Sequence, residues 1–325
     1  MSDEVRFADL LALTTDGPES FLGPPAPERF GITYGGQFLA QALLAAAATV
    51  GEGKAPHSLH AYFVRPGDVD EATRYRVDEI REGRSFALRS VVATQQGIEV
   101  FRLTVSFHQP EPGPTYHRSR GYPMADVDPP SDSQIDYHTF VAGHPDFDPE
   151  SWDGARRPMT VRYINPPDPA GGAPVDEPQL MWLRLSSPLA ADPTEDRAIH
   201  AAGLAYLADG TLIDHALLPH GLRWFDGRLT GVSLDHAMWF HAPIRADDWL
   251  LYDQRVTWTG GARGLVTGSF YDRMGVLVAT CTQEGLIRLD DGQAPDGSAD
   301  HAEHDHAEHD TADDAVDGSA EADLS

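Results

Sequence analysis

One short sequence occurs twice in this chain. Residues 58–68 read SLHAYFVRPGD and residues 233–243 read SLDHAMWFHAP, so both contain Ser-Leu, a His-Ala pair, aromatic residues and a proline. Each copy is followed by two β-rich runs around a glycine, Gly97 or Gly275, a pattern typical of a β-hairpin. The shared histidine precedes that glycine by 37 residues in the first copy and by 39 in the second. A repeat that keeps its spacing predicts two halves of similar structure.

Each copy also has an apolar helix upstream of it. Residues 35–50 are apolar on every face and residues 197–209 nearly so, and such helices are usually buried on all sides. Antiparallel strands follow each helix. We therefore predict an α+β fold of two tandem halves, each with an antiparallel sheet wrapped around a long central helix.

Between the copies, residues 109–178 hold 14 of the 25 prolines, which excludes a long helix there. Two strands are expected in its later part, at 159–164 and 180–186. The predicted organisation is an N-terminal segment at 1–20, a first half at 21–108, a Pro-rich linker at 109–153, a second half at 154–289 and an acidic tail at 290–325.

The net charge of −27 is spread unevenly. Residues 290–325 contain 13 acidic residues and no Lys or Arg, which leaves −14 for the rest of the chain. An acidic body argues against nucleic acid or an anionic membrane as the main partner. The tail has almost no large apolar residue, so we expect it to be disordered. Its HAEHDHAEHD sequence (301–310) could bind Zn or Ni, although a solubilising tail is the preferred interpretation.

Several classes of protein lose support from what the sequence lacks. It contains no G-x-S-x-G, no P-loop, no G-x-G-x-x-G after a strand and no H-E-x-x-H. The single cysteine, Cys281, excludes an intramolecular disulfide and is interpreted as a buried, inert thiol in a strand. The longest apolar run, 38–50, is too short to span a bilayer, and no signal peptide is visible, so we expect a cytoplasmic protein.

Three polar residues of the second copy are unusual: Asp209, Ser233 and Gln283. Asp209 closes a nearly apolar helix, where a charge is costly unless it is paired or functional. Each also has a plain structural interpretation: an Asp-Gly turn, a hydroxyl at a strand end, and an outward-facing amide.

The first copy tests these structural interpretations. When Gly97 is aligned with Gly275, Gln283 corresponds to Val105, and residues 30–51 offer no acidic counterpart of Asp209. Ser233 corresponds to Ser58 in the repeated motif. Two of the three polar groups are therefore absent from the first copy, which suggests one working site in the second half and one degenerate half.

The chain resembles the acyl-CoA thioesterase II family, which has a double hotdog fold. The matching motifs run in the family's order between about residues 20 and 289 and are GGQFLAQAL (35–43), HSLHAYFVRPGD (57–68), GRSF (83–86), LDHAMWFH (234–241), DDWLLY (247–252), ARG (262–264), GVLVAT (275–280) and QEGLIR (283–288). The GITY sequence (31–34) before GGQ is a departure that would reshape the substrate tunnel. The resemblance implies acyl-CoA as substrate, a homodimer or higher homo-oligomer, and no metal or redox cofactor.

The resemblance also implies a catalytic trio at Asp209, Ser233 and Gln283. Ser233 replaces the Thr of the best-known members; it keeps the hydroxyl and loses β-branching. We expect Asp209 to deprotonate a water that attacks the thioester carbonyl directly, while Ser233 and Gln283 hold that water and the charge on the carbonyl oxygen.

Substrate contacts are expected from two further groups of residues. Trp239 and Phe240, beside Met238, are candidates for an apolar acyl slot, and Arg263 and Arg288 for binding the CoA phosphates. His236 and His241 are interpreted as structural, because His60 corresponds to His236 in the half without the trio.

Two other functions stay open. A hotdog hydratase or dehydratase would need an Asp-His pair in a motif such as D-x-N-P-x-H, whereas residues 163–169 read YINPPDP, which has the Asn-Pro but lacks the Asp and His that should flank it. A non-catalytic acyl-CoA binding module is the second alternative, against which the retained Asp209, Ser233 and Gln283 argue.

Overall fold

The computed structural model describes residues 5–27, 31–117, 123–148, 157–189, 196–225 and 229–289. Its helices are α1 (Phe7–Leu10), α2 (Gly35–Ala47), α3 (Tyr137–Ala142), α4 (Arg197–Ala208) and α5 (Leu212–His215). Its strands are β1 (Thr14–Thr15), β2 (Ser20–Gly23), β3 (Ala55–Phe63), β4 (Thr73–Glu82), β5 (Phe86–Gln95), β6 (Ile98–His108), β7 (Met159–Tyr163), β8 (Gln179–Leu185), β9 (Leu229–Ser233), β10 (Asp235–Phe240), β11 (Leu250–Gly260), β12 (Arg263–Tyr271) and β13 (Leu277–Leu289). The acidic tail with its His-rich sequence, and the start of the second half at 154, lie outside the described residues.

The strands form one 13-stranded antiparallel sheet in the order β1-β2-β4-β5-β6-β3-β10-β13-β12-β11-β8-β7, with β9 also paired to β13. The first half supplies the strands up to β3 in this order and the second half the strands from β10 onward. The predicted hairpins are β5-β6 and β12-β13, and the strands expected at 159–164 and 180–186 are β7 and β8. The double hotdog prediction is confirmed.

The repeated sequence forms the boundary between the two halves. Strands β3 and β10 pair antiparallel, with Ala61 opposite His236 and His60 opposite Ala237. The two copies of the motif are thus hydrogen-bonded to each other, as expected where an approximate two-fold axis relates two similar halves. This pairing makes the two sheets continuous.

Helices α2 and α4 lie inside this curved sheet and pack against each other. Both are buried along nearly their whole length, which explains why their sequences are apolar on every face. The N-terminus of α2 meets the C-terminus of α4, where the hydroxyl of Tyr34 donates to the Tyr206 carbonyl at 2.6 Å. Within the described residues, no helix is long and apolar enough to cross a membrane.

The segment predicted as a linker folds onto the second half. It contains α3, whose N-cap Asp136 also accepts from Arg162 of β7 at 3.0 Å. The backbone N–H of Tyr163 donates to the Ile135 carbonyl at 2.9 Å. Prolines thus keep helices short here without preventing the segment from packing beside the second half. At the other end, β1 and β2 extend the first sheet into the segment predicted at 1–20.

Candidate active site

The three polar residues singled out in the sequence meet in one cluster. Nε2 of Gln283 donates to Oδ1 of Asp209 at 2.5 Å and to Oγ of Ser233 at 2.8 Å. The Ser233 hydroxyl lies 3.5 Å from the same Asp209 oxygen. Two neutral polar groups therefore surround one carboxylate. The three residues come from three different elements of the fold.

Local structure explains how each side chain arrives there. Asp209 is the C-cap of α4, and Ser233 ends β9 opposite Gly285 of β13. Gln283 lies two residues before Gly285 on β13, and its side chain is fully buried. Because side chains alternate along a strand, Gln283 shares the inner face of the sheet with its buried neighbour Cys281.

The N-terminus of α2 completes the site. The backbone N–H of Gly36 donates to the Asp209 carboxylate, and the positive end of the helix favours a negative charge there. A Cβ on Gly35 would lie 2.7 Å from Oδ2 of Asp209 and 2.6 Å from Cε1 of Phe63. Glycine is therefore required for α2 to approach the carboxylate this closely.

Burial raises the pKa of Asp209 from its ordinary value to about 6, against the lowering effects of Gln283, Arg157, Gly36 and Ser233. At pH 7 to 8 the carboxylate is thus ionised and is a stronger base than an exposed aspartate. The side chain is only half-buried, so it stays within reach of a water molecule.

Sequence reasoning missed Arg157 and Asp214, which lie beside the trio. The guanidinium of Arg157 stacks over the Tyr34 ring at 4.0 Å and lowers the pKa of both Asp209 and Asp214. Burial raises the pKa of Asp214 to about 7, and the Tyr137 hydroxyl lies 3.5 Å from its carboxylate. Asp214 could have been found as Asp209 was, as a charge in an apolar helical segment. Arg157 follows a Pro-rich stretch without any motif.

An aromatic cavity opens next to this second carboxylate. It encloses about 510 Å³ of space, part of it open to solvent. Aromatic side chains from the linker, from β7 and from the segment after α5 line it, together with Asp214; they are Tyr137, Phe140, Tyr163, Trp224 and Phe225. The cavity is mostly apolar, as a slot for a hydrocarbon chain must be.

The first half lacks all three polar groups of the trio. Val105, the counterpart of Gln283, is fully buried among apolar residues. With the same alignment, Gly285 corresponds to Phe107. Ser233 pairs with Gly285 and Pro56 pairs with Phe107, so Ser233 corresponds to Pro56. The correspondence of Ser233 with Ser58 is therefore wrong, because matching the Ser-Leu letters placed Ser233 two residues too far along β3.

The predicted acyl slot at Trp239 and Phe240 does not form beside Asp209. Trp239 is 38 % exposed and contacts His60 on the outer face of the sheet, whereas Gln283 points inward. Phe240 lines a different cavity, with His57 and His241, at the other end of β10. The alternation of side chains along β10 excludes Trp239 from the interior.

Neither arginine proposed for the CoA phosphates lies in the buried cluster. Arg263 is exposed and pairs with Glu284 at 3.2 Å, and it lies over the Trp258 ring. Arg288 is exposed near the end of β13. Their roles toward CoA stay predictions.

The structure separates the histidines that the repeat had aligned. His60 is exposed and pairs with Ala237. His236 is fully buried and pairs with Ala61, the residue after His60. His241 contacts the Thr280 hydroxyl at 3.0 Å. Equating His60 with His236 is wrong, because a shift of one residue moves a side chain to the opposite face of a sheet.

Cys281 fits its predicted inert role. It is 2 % exposed, its sulfur lies 3.3 Å from the Tyr252 hydroxyl, and burial raises the pKa of its thiol to about 12. The thiol therefore stays protonated at neutral pH. No group of three His, Cys, Asp or Glu side chains within the described ranges could hold a metal ion.

Comparison with known families agrees with this architecture. Residues 22–108 match the family model of the acyl-CoA thioesterase N-terminal domain, and residues 136–287 match that of the C-terminal domain. The chain belongs to the acyl-CoA thioesterase family. Its second family domain begins within the segment that we predicted as a linker, where α3 packs against β7.

Individual relatives cover most of the chain. Acyl-coenzyme A thioesterase 8 of Mus musculus is 38 % identical over 79 % of this chain and 80 % of its own length. Acyl-CoA thioesterase 2 of Haemophilus influenzae is 33 % identical over 83 % of this chain and 93 % of its own. The crystal structure of an acyl-CoA thioesterase II from Mycobacterium marinum is similar with a TM-score of 0.69 and 33 % identity; the match covers 88 % of this chain and 99 % of that one.

Proposed function

We propose that this protein hydrolyses fatty acyl-CoA to a free fatty acid and CoA. The observation that carries the proposal is the carboxylate of Asp209, which has a raised pKa and is held by Gln283, Ser233 and the first turn of α2. Relatives named acyl-CoA thioesterases match over most of the chain and support the same reaction.

The reaction needs no covalent enzyme intermediate, because a thioester carbonyl is already electrophilic. Asp209 takes a proton from a bound water while the water oxygen forms a bond to the carbonyl carbon. Ser233 and Gln283 hold the water and stabilise the negative charge on the carbonyl oxygen. The carbon–sulfur bond then breaks, and the proton on Asp209 passes to the departing CoA thiolate.

The aromatic cavity beside Asp214 is the acyl slot in this proposal. Its support is its apolar lining and its position next to Asp214, whose pKa the charge of Asp209 raises. Phe225 and Tyr163 lie on its wall. Replacing Phe225 with Trp would fill part of the slot and lower activity most for long acyl chains, because a hydrocarbon chain needs that volume.

The first experiment measures free thiol released from short, medium and long acyl-CoAs with a disulfide dye. Wild type and Asp209→Asn are compared, with circular dichroism as the check on folding. Release by the wild type that falls at least 100-fold in the variant would support the proposal. Wild-type turnover in Asp209→Asn with several acyl-CoAs would show that Asp209 is not the base.

The same assay separates the two alternatives. Stoichiometric acyl-CoA binding without CoA release would identify a binding module. A hydratase would consume an enoyl-CoA without releasing thiol. Against a hydratase, the Asn165 amide of YINPPDP is occupied: it donates to the Pro178 carbonyl at 2.8 Å and accepts from the Leu180 N–H at 2.8 Å.

A homodimer formed through the outer faces of the sheets is also proposed. Its support is the set of exposed aromatic side chains on that face, Tyr62 at 63 % exposure and Trp239 at 38 %. Sedimentation equilibrium would test it, and a monomer at micromolar concentration would contradict it. A cytoplasmic location is proposed from the single, unbridged Cys281 and is tested by cell fractionation.

A further inference from the structure

Three buried polar atoms lie next to the candidate trio without a hydrogen-bond partner of good geometry among the described residues. They are Oε1 of Gln283 and both ring nitrogens of His236. Both side chains are fully buried. An unsatisfied buried polar atom destabilises the folded protein, so a cluster of them calls for a functional explanation.

The two side chains are neighbours on adjacent strands. Ala237 of β10 pairs with Thr282 of β13, which places His236 opposite Gln283 in the antiparallel ladder. Within the part of the chain that the structure describes, Gln283 raises the pKa of His236, against the burial that lowers it to about 4. His236 is therefore a neutral imidazole, which has one N–H to donate and one nitrogen to accept.

We propose that His236 is a positioning residue, whose ring N–H donates to Oε1 of Gln283 and keeps Nε2 of Gln283 directed at Asp209 and Ser233. The proposal rests on the proposed function, since it concerns the same reaction. His236 itself touches no reacting atom in this role. It acts only through the orientation of one amide.

The need for such a residue arises during the reaction. While Asp209 is ionised, repulsion between its oxygens and Oε1 is enough to keep Nε2 of Gln283 turned toward it. Once Asp209 has taken the proton from water, its carboxyl group becomes a donor, and a flipped Gln283 could accept from it. A donor at His236 prevents that flip and keeps Nε2 available to the carbonyl oxygen.

The first half supports treating the two residues as a unit. With Gly97 aligned on Gly275, Gln283 corresponds to Val105, and the partner of Val105 on β3 is Leu59. Both are fully buried apolar residues. The half without the trio thus has an apolar pair where the half with the trio has His236 and Gln283, so this fold accommodates Leu and Val at these places.

The test compares His236→Leu, His236→Gln and the control His241→Leu, whose ring contacts Thr280 outside the trio. Free-thiol release is measured from pH 5 to 9. We expect His236→Leu to lower kcat about tenfold with KM within about twofold. Its acid limb should move up by about one pH unit, because a flipped Gln283 stabilises protonated Asp209. His236→Gln should restore part of kcat and of the pH profile, since its amide can still donate.

Among the described residues, the other titratable groups that act on Asp209 are unchanged in these variants; they are Tyr34 before α2, Arg157 before β7, Asp214 in α5, Tyr252 in β11 and Cys281 in β13. A change in the acid limb can then be assigned to Gln283. Wild-type kcat and an unchanged acid limb in His236→Leu would overturn the proposal.

A double-mutant cycle with Gln283→Val separates this proposal from the proposed function. In thiol release, the double variant should have the same kcat as Gln283→Val alone. If the losses of kcat in the two single variants multiply in the double variant, the proposal is overturned. In urea unfolding, Gln283→Val alone should be less stable than the double variant, which restores the apolar pair. If the changes in unfolding free energy of the two single variants simply add in the double variant, His236 and Gln283 are not in contact. The unfolding cycle remains decisive if the wild type releases no CoA, a result that would reject only the proposed function.

Discussion

Nε2 of Gln283 lies 2.5 Å from Oδ1 of Asp209, although the two residues are 74 positions apart in the chain. One belongs to a strand of the second half and the other ends its central helix. The hydrogen bond from Gln283 stabilises the ionised carboxylate and so lowers the pKa of Asp209, which burial raises.

Ser233→Ala should lower kcat about 10- to 100-fold, because the water loses one of its holders and Asp209 loses a donor at 3.5 Å. Ser233→Thr keeps the hydroxyl and should retain activity within about threefold. Free-thiol release at pH 8 measures both. Equal activity of the Ala and Thr variants would mean that the hydroxyl has no part in the reaction.

Arg157→Gln should move the acid limb of kcat to higher pH. In the wild type that limb is expected near pH 6, because activity requires ionised Asp209 and its pKa is about 6. Arg157 lowers this pKa, so removing the cation raises it, by about one unit. Arg102→Gln, which removes the exposed ion pair with Glu99, is the control and should leave the limb unchanged. A limb that moves to lower pH in Arg157→Gln would contradict the electrostatic role.

The sequence predicted the fold and the trio because both leave local or periodic signals. Two apolar helices with hairpins at repeated spacing specify the paired halves, and a lone charge at a helix end marks Asp209. Asp209 and Gln283 were then separable from ordinary polar residues because the first copy lacks counterparts of both, whereas Ser233 was matched with Ser58 and was not separable in this way.

Register and long-range contacts were beyond the sequence. The Ser-Leu sequence matches Ser233 with Ser58, whereas strand pairing matches Ser233 with Pro56, and only the register of the strands distinguishes the two. The one-residue offset between His60 and His236 similarly hid which histidine is buried. Arg157 acts on Asp209 from a position just before β7, a long-range contact that no spacing in the sequence encodes.

Asp209→Asn should stabilise the protein at pH 8 while it removes activity. The folded state raises the pKa of Asp209 from 3.8 to about 6, so folding favours the protonated form. Wild-type stability should therefore fall as pH rises from about 4 to 6, and the Asn variant should lack that loss. The carboxylate is only half-buried, so we expect a difference on the order of 1–2 kcal/mol at pH 8.

Urea unfolding at pH 4 and pH 8 checks this stability prediction. The difference contains the titration of Asp209 itself and the loss of its charge beside Asp214, whose pKa that charge raises; both effects favour the variant at pH 8. A gap that is as large at pH 4 as at pH 8 would show that the variant acts through packing and not through charge.

Gly35→Ala should lower kcat at least tenfold, because its Cβ would lie 2.7 Å from Oδ2 of Asp209 and push the carboxylate or α2 away. The same Cβ would also meet the Phe63 ring at 2.6 Å, so a second neighbour would have to shift as well. Gly113→Ala is the matched control, since no heavy atom lies within 4 Å of its Cβ. Thiol release and thermal unfolding are measured for both variants. If Gly35→Ala folds and turns over like Gly113→Ala, the close approach of α2 to Asp209 is not needed for the reaction. Gln283 and Ser233 would then be sufficient to hold the carboxylate, without the N–H of Gly36.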